Sequence, residues 1–343
     1  MKKIFYFLSL LLIAAQLQGK EQGVCWSSFD NWVEEKSEKL LANHSQTIMT
    51  FKGPVQYAHE DEGFPVLILH GAFGGIDQAQ LVSDYLRKEG FSTLTVSRPG
   101  YLGTPLPELP PSTAFTPADQ AAVLIALLDE LKISKVAVIG YFAGAPIAYA
   151  LAKNYPERIA ALVLESIGAS PSEDFLYYSA FWSSPTQLSL NHDFVAYLLQ
   201  LSQRFDFDSS LKEALLLDTS LTGAPLYDRI RYTEQHQDKY NFLKRLLSTM
   251  IPISPRLPGI LNDFLGQDYW TTHFDPTGMT IPTLLIQAVN DANGYFPIAQ
   301  QIQQQLPNAQ LFPIPSSGHF LWFGPETKAW QKKVVKFLEE HSH

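Results

Sequence analysis

Cysteine is almost absent from this chain of 343 residues, in which Cys25 is the only one. A single thiol cannot form an intrachain disulfide. Charged residues account for 17% of the chain and hydrophobic residues for 46%, a composition that is typical of globular proteins and argues against a disordered chain. The sequence also has no repeat of fixed period and no low-complexity tract, which excludes solenoid and fibrous folds.

Basic runs and cofactor motifs are missing as well. The formal net charge is −9, so nucleic acids and anionic membrane surfaces are unsuitable partners. The sequence shows no cluster of metal-ligating side chains and no phosphate-binding loop. The glycines of residues 71–75 lack the spacing and the acidic partner of a dinucleotide-binding fingerprint. We therefore expect no metal, no cofactor and no nucleic-acid partner.

A run of apolar residues long enough to direct export occurs only at the N terminus. Lys2 and Lys3 precede an apolar stretch over residues 4–15, and residues 16–19 form a polar exit that ends in a small residue. This order is typical of a secretory signal peptide, and the stretch is short for the roughly 20 residues of a spanning helix. We predict a signal peptide at residues 1–19, export to the periplasm or the medium, and no stable membrane insertion after its removal. An uncleaved anchor is the alternative.

Beyond a polar lead-in over residues 20–44, short apolar runs alternate with amphipathic helical segments. The predicted strands are 46–51, 55–59, 66–69, 91–96, 136–139 and 161–164, then 283–288 and 310–312. Asp77 and Gln80 have the spacing of a capping box at the start of one helix. The alternation predicts an α/β fold, with a mostly parallel twisted sheet and helices on both faces.

The alternation is interrupted over residues 170–279, which are rich in aromatic residues at helical spacing and are broken by prolines. We interpret this range as a helical cap inserted after the sixth strand. The core is then predicted in two parts, residues 45–169 and 280–343.

Three motifs fall where predicted strands end, which is where open α/β sheets bind ligands. His70-Gly71-Ala72-Phe73-Gly74-Gly75 follows one buried strand, and Gly140-Tyr141-Phe142-Ala143-Gly144 joins another to a helix. The second motif has the frame of a nucleophile elbow, in which glycines on either side permit a tight, strained turn. Asp291 follows the strand 283–288, and His319 lies between the last strand and the last helix. The order of elbow, acid and histidine is that of the triad in α/β-hydrolases.

On these motifs the sequence resembles the α/β-hydrolase superfamily, and in particular its capped serine hydrolases, from about residue 46 to the C terminus. The resemblance implies that Asp291 orients His319 and that His319 is the general base. It also implies an oxyanion hole formed by backbone N–H groups of Ala72 or Phe73 and of Ala143, with Gly140 and Gly144 as the elbow glycines. No cofactor is implied, and the expected ligand is a small apolar or ester-like molecule.

The chain departs from the family at Phe142, which stands where the serine nucleophile is expected. Ser97, Ser166 and Ser317 lie near other strand ends, but none lies in an elbow. Tyr141 and Ala143 are expected to point away from the cleft. If no chemistry requires the strained turn, we expect Phe142 to have relaxed to negative φ.

Four interpretations remain open for function. The first is a pseudo-hydrolase that binds a ligand under its cap. The second is an enzyme that uses His319 and Asp291 without a serine nucleophile. The third is an exported interaction domain, and the fourth is a serine hydrolase whose sequence carries a single-base variant at Phe142.

Overall fold

The computed structural model describes residues 22–41, 44–60, 62–110, 113–168, 193, 197, 200, 207–266 and 269–342. The predicted signal peptide lies outside these ranges, as do residues 170–192 of the predicted cap. Among the described residues, no helix has the length and apolar character needed to cross a bilayer.

Eight strands form one sheet in the order β1-β2-β4-β3-β5-β6-β7-β8. β1 pairs with β2 and β2 pairs with β4 in antiparallel fashion, whereas every other pair is parallel. The bounds are β1 Gln46–Thr50, β2 Gly53–Glu60, β3 Pro65–Leu69, β4 Ser92–Val96, β5 Val136–Tyr141, β6 Ile159–Glu165, β7 Thr283–Ala288 and β8 Ala309–Ile314.

Helices connect the parallel strands and cover both faces of the sheet. Their bounds are α1 Gln22–Leu41, α2 Ile76–Lys88, α3 Pro117–Glu130, α4 Ala145–Asn154, α5 Phe207–Leu217, α6 Gly223–Gln235, α7 Gln237–Ser248, α8 Leu257–Leu265, α9 Tyr269–Thr272, α10 Phe296–Gln305 and α11 Thr327–His341. The α/β-hydrolase fold predicted from the sequence is confirmed. The antiparallel entry, the mostly parallel sheet and the helical insertion after the sixth strand are all present.

Strand β3 shows why the central strands are apolar along their whole length. Leu67 and Leu69 belong to the core beneath α3 and α4, whereas Val66 and Ile68 belong to the core beneath α2 and α11. Successive side chains of a strand point to opposite faces. A sheet covered on both faces therefore buries every position.

The start of α2 differs from its prediction. Gly75 is the N-cap residue and no side chain caps the helix, so the capping box expected from Asp77 and Gln80 is wrong. Asp77 Oδ2 instead accepts a hydrogen bond from Arg256 Nη2 at 2.6 Å. The two residues are 179 positions apart, so this partner leaves no local signal in the sequence.

Between β6 and β7 the described chain is helical, from α5 to α9. These helices lie between β6 and β7 along the chain. The loops that carry Phe142, Asp291 and His319 follow the carboxyl ends of β5, β7 and β8. The extent of the cap, residues 170–279, stays a prediction.

Candidate functional site

The elbow is formed where β5 ends and α4 begins. Phe142 starts a short 3₁₀ turn and has φ of 49°, so the expectation of a relaxed turn is wrong. A Cβ atom added to Gly140 would lie 2.7 Å from Ala148 Cβ, and one added to Gly144 would lie 2.5 Å from the carbonyl oxygen of Leu69. The close packing of β5, α4 and β3 therefore keeps the turn tight whatever residue stands at its centre.

His319 and Asp291 form the pair that the sequence predicted, on the loops after β8 and β7. His319 Nδ1 lies 3.1 Å from each carboxylate oxygen of Asp291. Asp291 also accepts hydrogen bonds from the backbone N–H groups of Asn293 at 2.8 Å and Gly294 at 2.7 Å, and from Gln287 Nε2 at 2.9 Å. Both residues are buried. We refer to them as the His319/Asp291 pair.

The ring of Phe142 lies directly against this pair. Its centroid is 4.4 Å from that of the His319 imidazole, with the planes at 80°. The ring also packs on Gly168, where an added Cβ would lie 2.7 Å from Phe142 Cε2. Phe142 and Asp291 line the neighbouring cavity, whereas His319 does not. The phenyl ring therefore stands between the imidazole and the cavity.

The residues expected to form the oxyanion hole surround the same place. Ala72 and Ala143 line the cavity. Phe73 has φ of 61° and packs its ring on Phe264, with 6.4 Å between centroids. Among the described residues, no backbone carbonyl accepts a hydrogen bond from the N–H of Ala72 or Phe73. These donors are not used by the fold.

Ala143 was expected to point its side chain away from the cleft, and that stays a prediction, although the residue lines the cavity. The expectation assumed the alternation of a strand, but the chain turns into a 3₁₀ helix at Phe142, where neighbouring side chains differ by about a third of a turn. Tyr141, the last residue of β5, is buried and packs on His319 and Trp322, with centroids 5.6 and 5.0 Å apart.

His70 braces the loop that carries Ala72 and Phe73. Its Nδ1 lies 2.7 Å from the carbonyl oxygen of Gly71, and its Nε2 lies 3.0 Å from the backbone nitrogen of Arg98. Burial and the nearby Arg98 guanidinium hold the pKa of His70 well below its ordinary value. His70 is therefore neutral at pH 7 and serves the structure of the loop.

The three serines near other strand ends lie away from the cavity. Ser97, Ser166 and Ser317 are fully buried, and none of them lines the cavity. The hydroxyl of Ser166 donates to the carbonyl oxygen of His319 at 2.8 Å, and that of Ser97 donates to Gln56 Oε1 at 2.8 Å. A nucleophile needs its base and the oxyanion donors within hydrogen-bond reach of one reacting atom.

A cavity of about 1550 Å³ opens beside the elbow. Several aromatic side chains line it, among them Phe115, Tyr149, Phe264, Tyr269 and Trp270. Tyr149 and Tyr269 pack edge-on against Trp270, with centroids 5.7 and 5.4 Å apart. The exposed side chains of Leu265, Val289 and Tyr295 also belong to its lining.

The acidic side chains and the lysine that line the cavity, among the residues that the structure describes, are paired. Asp263 accepts hydrogen bonds from Arg98 at 2.8 and 2.7 Å. Lys153 Nζ lies 2.9 Å from Asp275 Oδ2 and also donates to backbone carbonyls. The ammonium of Lys153 lowers the pKa of Asp275 to about 2, so Asp275 is charged at pH 7. Asp291 is held by His319 and by the donors described above.

Three buried ionisable residues near the site carried no signal in the sequence. Glu165 ends β6, and burial raises its pKa to about 8. Asp218 and Arg229, from the inserted helices, form a buried ion pair next to His319. Asp218 and Arg229 are only 11 positions apart, but Phe320, whose backbone both side chains bind, lies 102 and 91 positions away from them along the chain. Among the described residues there is no group of His, Cys, Asp and Glu that could hold a metal.

The chain matches the family model described as alpha/beta hydrolase fold over residues 65–324. It is 33% identical over 300 residues to a Bacillus subtilis (strain 168) protein provisionally named 2-succinyl-6-hydroxy-2,4-cyclohexadiene-1-carboxylate synthase, and the match covers 84% of this chain and 97% of that protein. It is 25% identical to the 2-hydroxymuconate semialdehyde hydrolase of Pseudomonas putida, over 82% of this chain and 89% of that one.

Solved structures agree in fold. An alpha/beta hydrolase fold protein from Nakamurella multipartita has a TM-score of 0.72 at 24% identity, with 86% of this chain and 98% of that chain covered. The enol-lactonase from Burkholderia xenovorans LB400 has a TM-score of 0.61 at 16% identity, with 86% and 100% covered.

Proposed function

Because this chain belongs to the α/β-hydrolase family, we propose that it is a member that no longer hydrolyses esters through a serine. We propose further that it binds an uncharged, mainly apolar small molecule in the cavity beside Phe142. One observation carries the proposal. The ring of Phe142 occupies the centre of a fully formed elbow and lies edge-on to His319.

The chemistry of the elbow explains the loss of hydrolysis. A hydroxyl or thiol at its centre attacks the carbonyl carbon of the substrate, and a phenyl ring has no nucleophilic atom. Removing the triad nucleophile of a well-studied serine protease lowers turnover by about six orders of magnitude, and the remainder comes from the oxyanion hole and binding. Here the ring also takes the space beside Gly168, so it hinders a carbonyl group from reaching the donors at Ala72 and Ala143.

The charges around the cavity favour an uncharged ligand. Lys153 is paired with Asp275, and Asp263 is paired with Arg98. Among the described residues of the lining, no lysine or arginine is left to pair with an anionic ligand. The compound in the name of the Bacillus relative carries carboxylate groups. An acid of that kind would lose its hydration in this cavity without gaining a counter-charge.

The size and lining of the cavity favour a mainly apolar ligand. Pockets for small molecules typically measure about 300–1,000 Å³, and this one, at about 1550 Å³, exceeds that range. The edge-on arrangement of Tyr149, Tyr269 and Trp270 offers aromatic surface, which packs well against rings and acyl chains.

A second candidate function is general-base chemistry by the His319/Asp291 pair alone. Its support is the retained distance of 3.1 Å between His319 Nδ1 and the carboxylate, because such a base can activate water or abstract a proton. The position of the Phe142 ring, between the imidazole and the cavity, disfavours it.

We also propose that residues 1–19 are a signal peptide and that the mature protein is periplasmic or secreted. The support is the sequence of that stretch alone. The mass of the protein purified from its native host tests the idea, and an uncleaved chain in the cytoplasm would refute it.

The experiment compares hydrolysis of p-nitrophenyl butyrate by the wild type, Phe142→Ser, Phe142→Ala and His319→Ala. We expect hydrolysis above background from Phe142→Ser only, because only that variant restores a hydroxyl next to His319. Phe142→Ala is the matched control, since it removes the ring without supplying a nucleophile. Turnover by the wild type that disappears in His319→Ala would contradict the proposal and establish the second candidate.

The charge preference is measured with the same proteins. We expect Phe142→Ser to hydrolyse p-nitrophenyl butyrate with at least about tenfold higher kcat/KM than p-nitrophenyl hemisuccinate, since an unpaired charge costs more than about 1.4 kcal/mol to bury. Equal values of kcat/KM for the two esters would contradict an uncharged ligand.

Binding in the cavity itself is measured by fluorescence. We expect 2-naphthyl acetate to quench the tryptophan fluorescence of the wild type, and we expect this quenching to be absent in Trp270→Phe.

A further inference from the structure

Residues 218–220 begin the link between α5 and α6. They run between the two loops that carry His319 and Asp291. The carbonyl oxygen of Asp218 accepts hydrogen bonds from the backbone N–H of His319 at 2.7 Å and from that of Ala292 at 3.2 Å. One oxygen of the inserted region therefore holds both the loop of the histidine and the loop of the acid.

The next two residues continue the contact with the acid loop. Thr219 forms an isolated antiparallel bridge with Asp291. The hydroxyl of Thr219 and the backbone N–H of Ser220 both donate to the carbonyl oxygen of Asn290, each at 2.9 Å. Residues 218–220 thus lie against the loop of Asp291 like a short added strand.

A buried ion pair fixes this segment. Arg229 on α6 donates to Asp218 Oδ2 at 2.7 Å through Nη2, and its Nη1 donates to Asp218 Oδ1. Arg229 also donates to the carbonyl oxygens of Phe320 at 3.1 Å and Phe323 at 3.3 Å, while Asp218 Oδ2 accepts from the backbone N–H of Phe320 at 2.9 Å. The two side chains are 1% and 2% exposed, so water cannot replace these contacts.

The contact with the histidine loop is also sterically tight. A Cβ atom added to Gly318 would lie 2.4 Å from the carbonyl oxygen of Asp218. Because Gly318 has no side chain, the backbone of the His319 loop can approach the backbone of Asp218 this closely.

From these contacts we propose that Asp218 and Arg229 are positioning residues, which hold His319 and Asp291 at hydrogen-bond distance from outside the sheet. The inference rests on the proposed function in one respect, because it explains how the His319/Asp291 pair keeps its geometry although Phe142 supplies no nucleophile. Ser220 lines the cavity, so a ligand bound there contacts the segment that holds both loops.

The chain offers a control in another ion pair between the inserted region and the core, in which the arginine is buried and the carboxylate is half-buried. Arg256 pairs with Asp77 on α2, with 2.6 Å between Nη2 and Oδ2, and Arg256 is fully buried. Neither residue contacts His319 or Asp291 through any hydrogen bond of the described part of the chain. Asp77→Asn thus breaks a similar pair without touching the site.

The test is the NMR signature of the His319 ring in the full-length protein labelled with ¹⁵N-histidine. His319→Gln identifies the resonance by its loss. We expect the downfield Nδ1–H signal of the hydrogen bond to Asp291 to disappear or move upfield in Asp218→Asn, and to stay unchanged in Asp77→Asn. An unchanged signal in Asp218→Asn, or an equal change in Asp77→Asn, would overturn the proposal.

Two further variants keep the test decisive. If Asp218→Asn does not fold, Arg229→Lys replaces it, because lysine keeps the charge but loses the bidentate contact with Asp218. In the Phe142→Ser background, Asp218→Asn is expected to lower kcat at least about tenfold at similar KM, since small misplacements of catalytic groups are costly. The NMR signal needs no turnover, so an inactive Phe142→Ser variant would count against the proposed function and not against this one.

Discussion

Phe142 keeps a left-handed backbone conformation although no chemistry of its own requires it. Such a conformation costs about 1–3 kcal/mol for a residue other than glycine, and Phe142 has φ of 49°. The elbow survives because Gly140 and Gly144 leave no space for the turn to open. At this position the strained backbone therefore follows from the packing of the fold.

Glu165 is the second unusual residue, since it is buried at the end of β6 with no hydrogen-bond partner for Oε1 among the described residues. The hydroxyls of Tyr85 and Tyr141, which line the same small internal space, are also without partners there. Burial raises the pKa of Glu165 to about 8 from an ordinary value of 4.5. The carboxyl group is thus mainly protonated in the folded protein at pH 7.

This shift predicts that the free energy of unfolding falls as the pH rises from about 4.5 to about 8. Between pH 4.5 and pH 8 the folded protein binds a proton at Glu165 that the unfolded chain does not. The stabilisation is complete below pH 4.5 and is lost by about 1.4 kcal/mol per pH unit as the pH rises toward 8. Glu165→Gln should therefore flatten the pH dependence of the unfolding free energy, measured by urea denaturation at pH 5, 7 and 9. The exposed control Glu130→Gln should keep the wild-type slope, and a wild-type slope in Glu165→Gln would refute the assignment.

At the scale of elements, the helices begin in two different ways. Helix α3 has a complete capping box, in which Thr116 Oγ1 accepts from the N–H of Asp119 at 3.2 Å and Asp119 Oδ2 accepts from the N–H of Thr116 at 3.1 Å. Helix α2 has none, because Asp77 pairs with Arg256 instead. Local sequence signals predict a cap correctly only where no tertiary partner competes for the side chain.

Thr116→Ala is expected to lower the unfolding free energy by about 1 kcal/mol, because the N–H of Asp119 loses the threonine hydroxyl that accepts its hydrogen bond. Thr113→Ala is the control, since Thr113 is exposed and lies before the helix, and it should change stability by less than about 0.5 kcal/mol. Urea denaturation at pH 7 measures both. Equal effects would mean that the capping box does not stabilise α3.

At the scale of the whole molecule, buried ion pairs join the inserted helices to the core. Arg98, just after β4, binds Asp263 on α8 through two hydrogen bonds and also donates to the carbonyl oxygens of His70 and Gly71. The Arg98 side chain is 0% exposed and that of Asp263 is 9% exposed. The insertion therefore fixes the loop that carries Ala72 as well as the loops of the His319/Asp291 pair.

Asp263→Asn should destabilise the protein by about 3–5 kcal/mol, because it leaves the charge of Arg98 buried without a partner. Asp84→Asn removes a carboxylate that pairs with Arg87 and Lys88 on the surface, and exposed pairs contribute about 0–1 kcal/mol. Urea denaturation of both variants at pH 7 provides the comparison. A loss below about 1 kcal/mol in Asp263→Asn would show that the insertion does not depend on this pair.

The sequence by itself determined the α/β-hydrolase fold and the frame of the elbow, and it indicated Asp291 and His319 as candidates at two further strand ends. Each of these rests on a local property: apolar runs of strand length, glycines on either side of a tight turn, and chemically distinctive residues just after strands. It also identified Phe142 as the departure from the family.

Only the tertiary structure decided how Phe142 lies against His319 and Gly168, why Asp77 does not cap α2, and which residues hold the two loops. Asp218 lies 102 positions from the N–H of Phe320 that it binds, and Arg98 lies 165 positions from Asp263. Contacts between such distant residues depend on how helices pack on the sheet. The burial that shifts the pKa of Glu165 arises in the same way, so no local pattern of the sequence could reveal it.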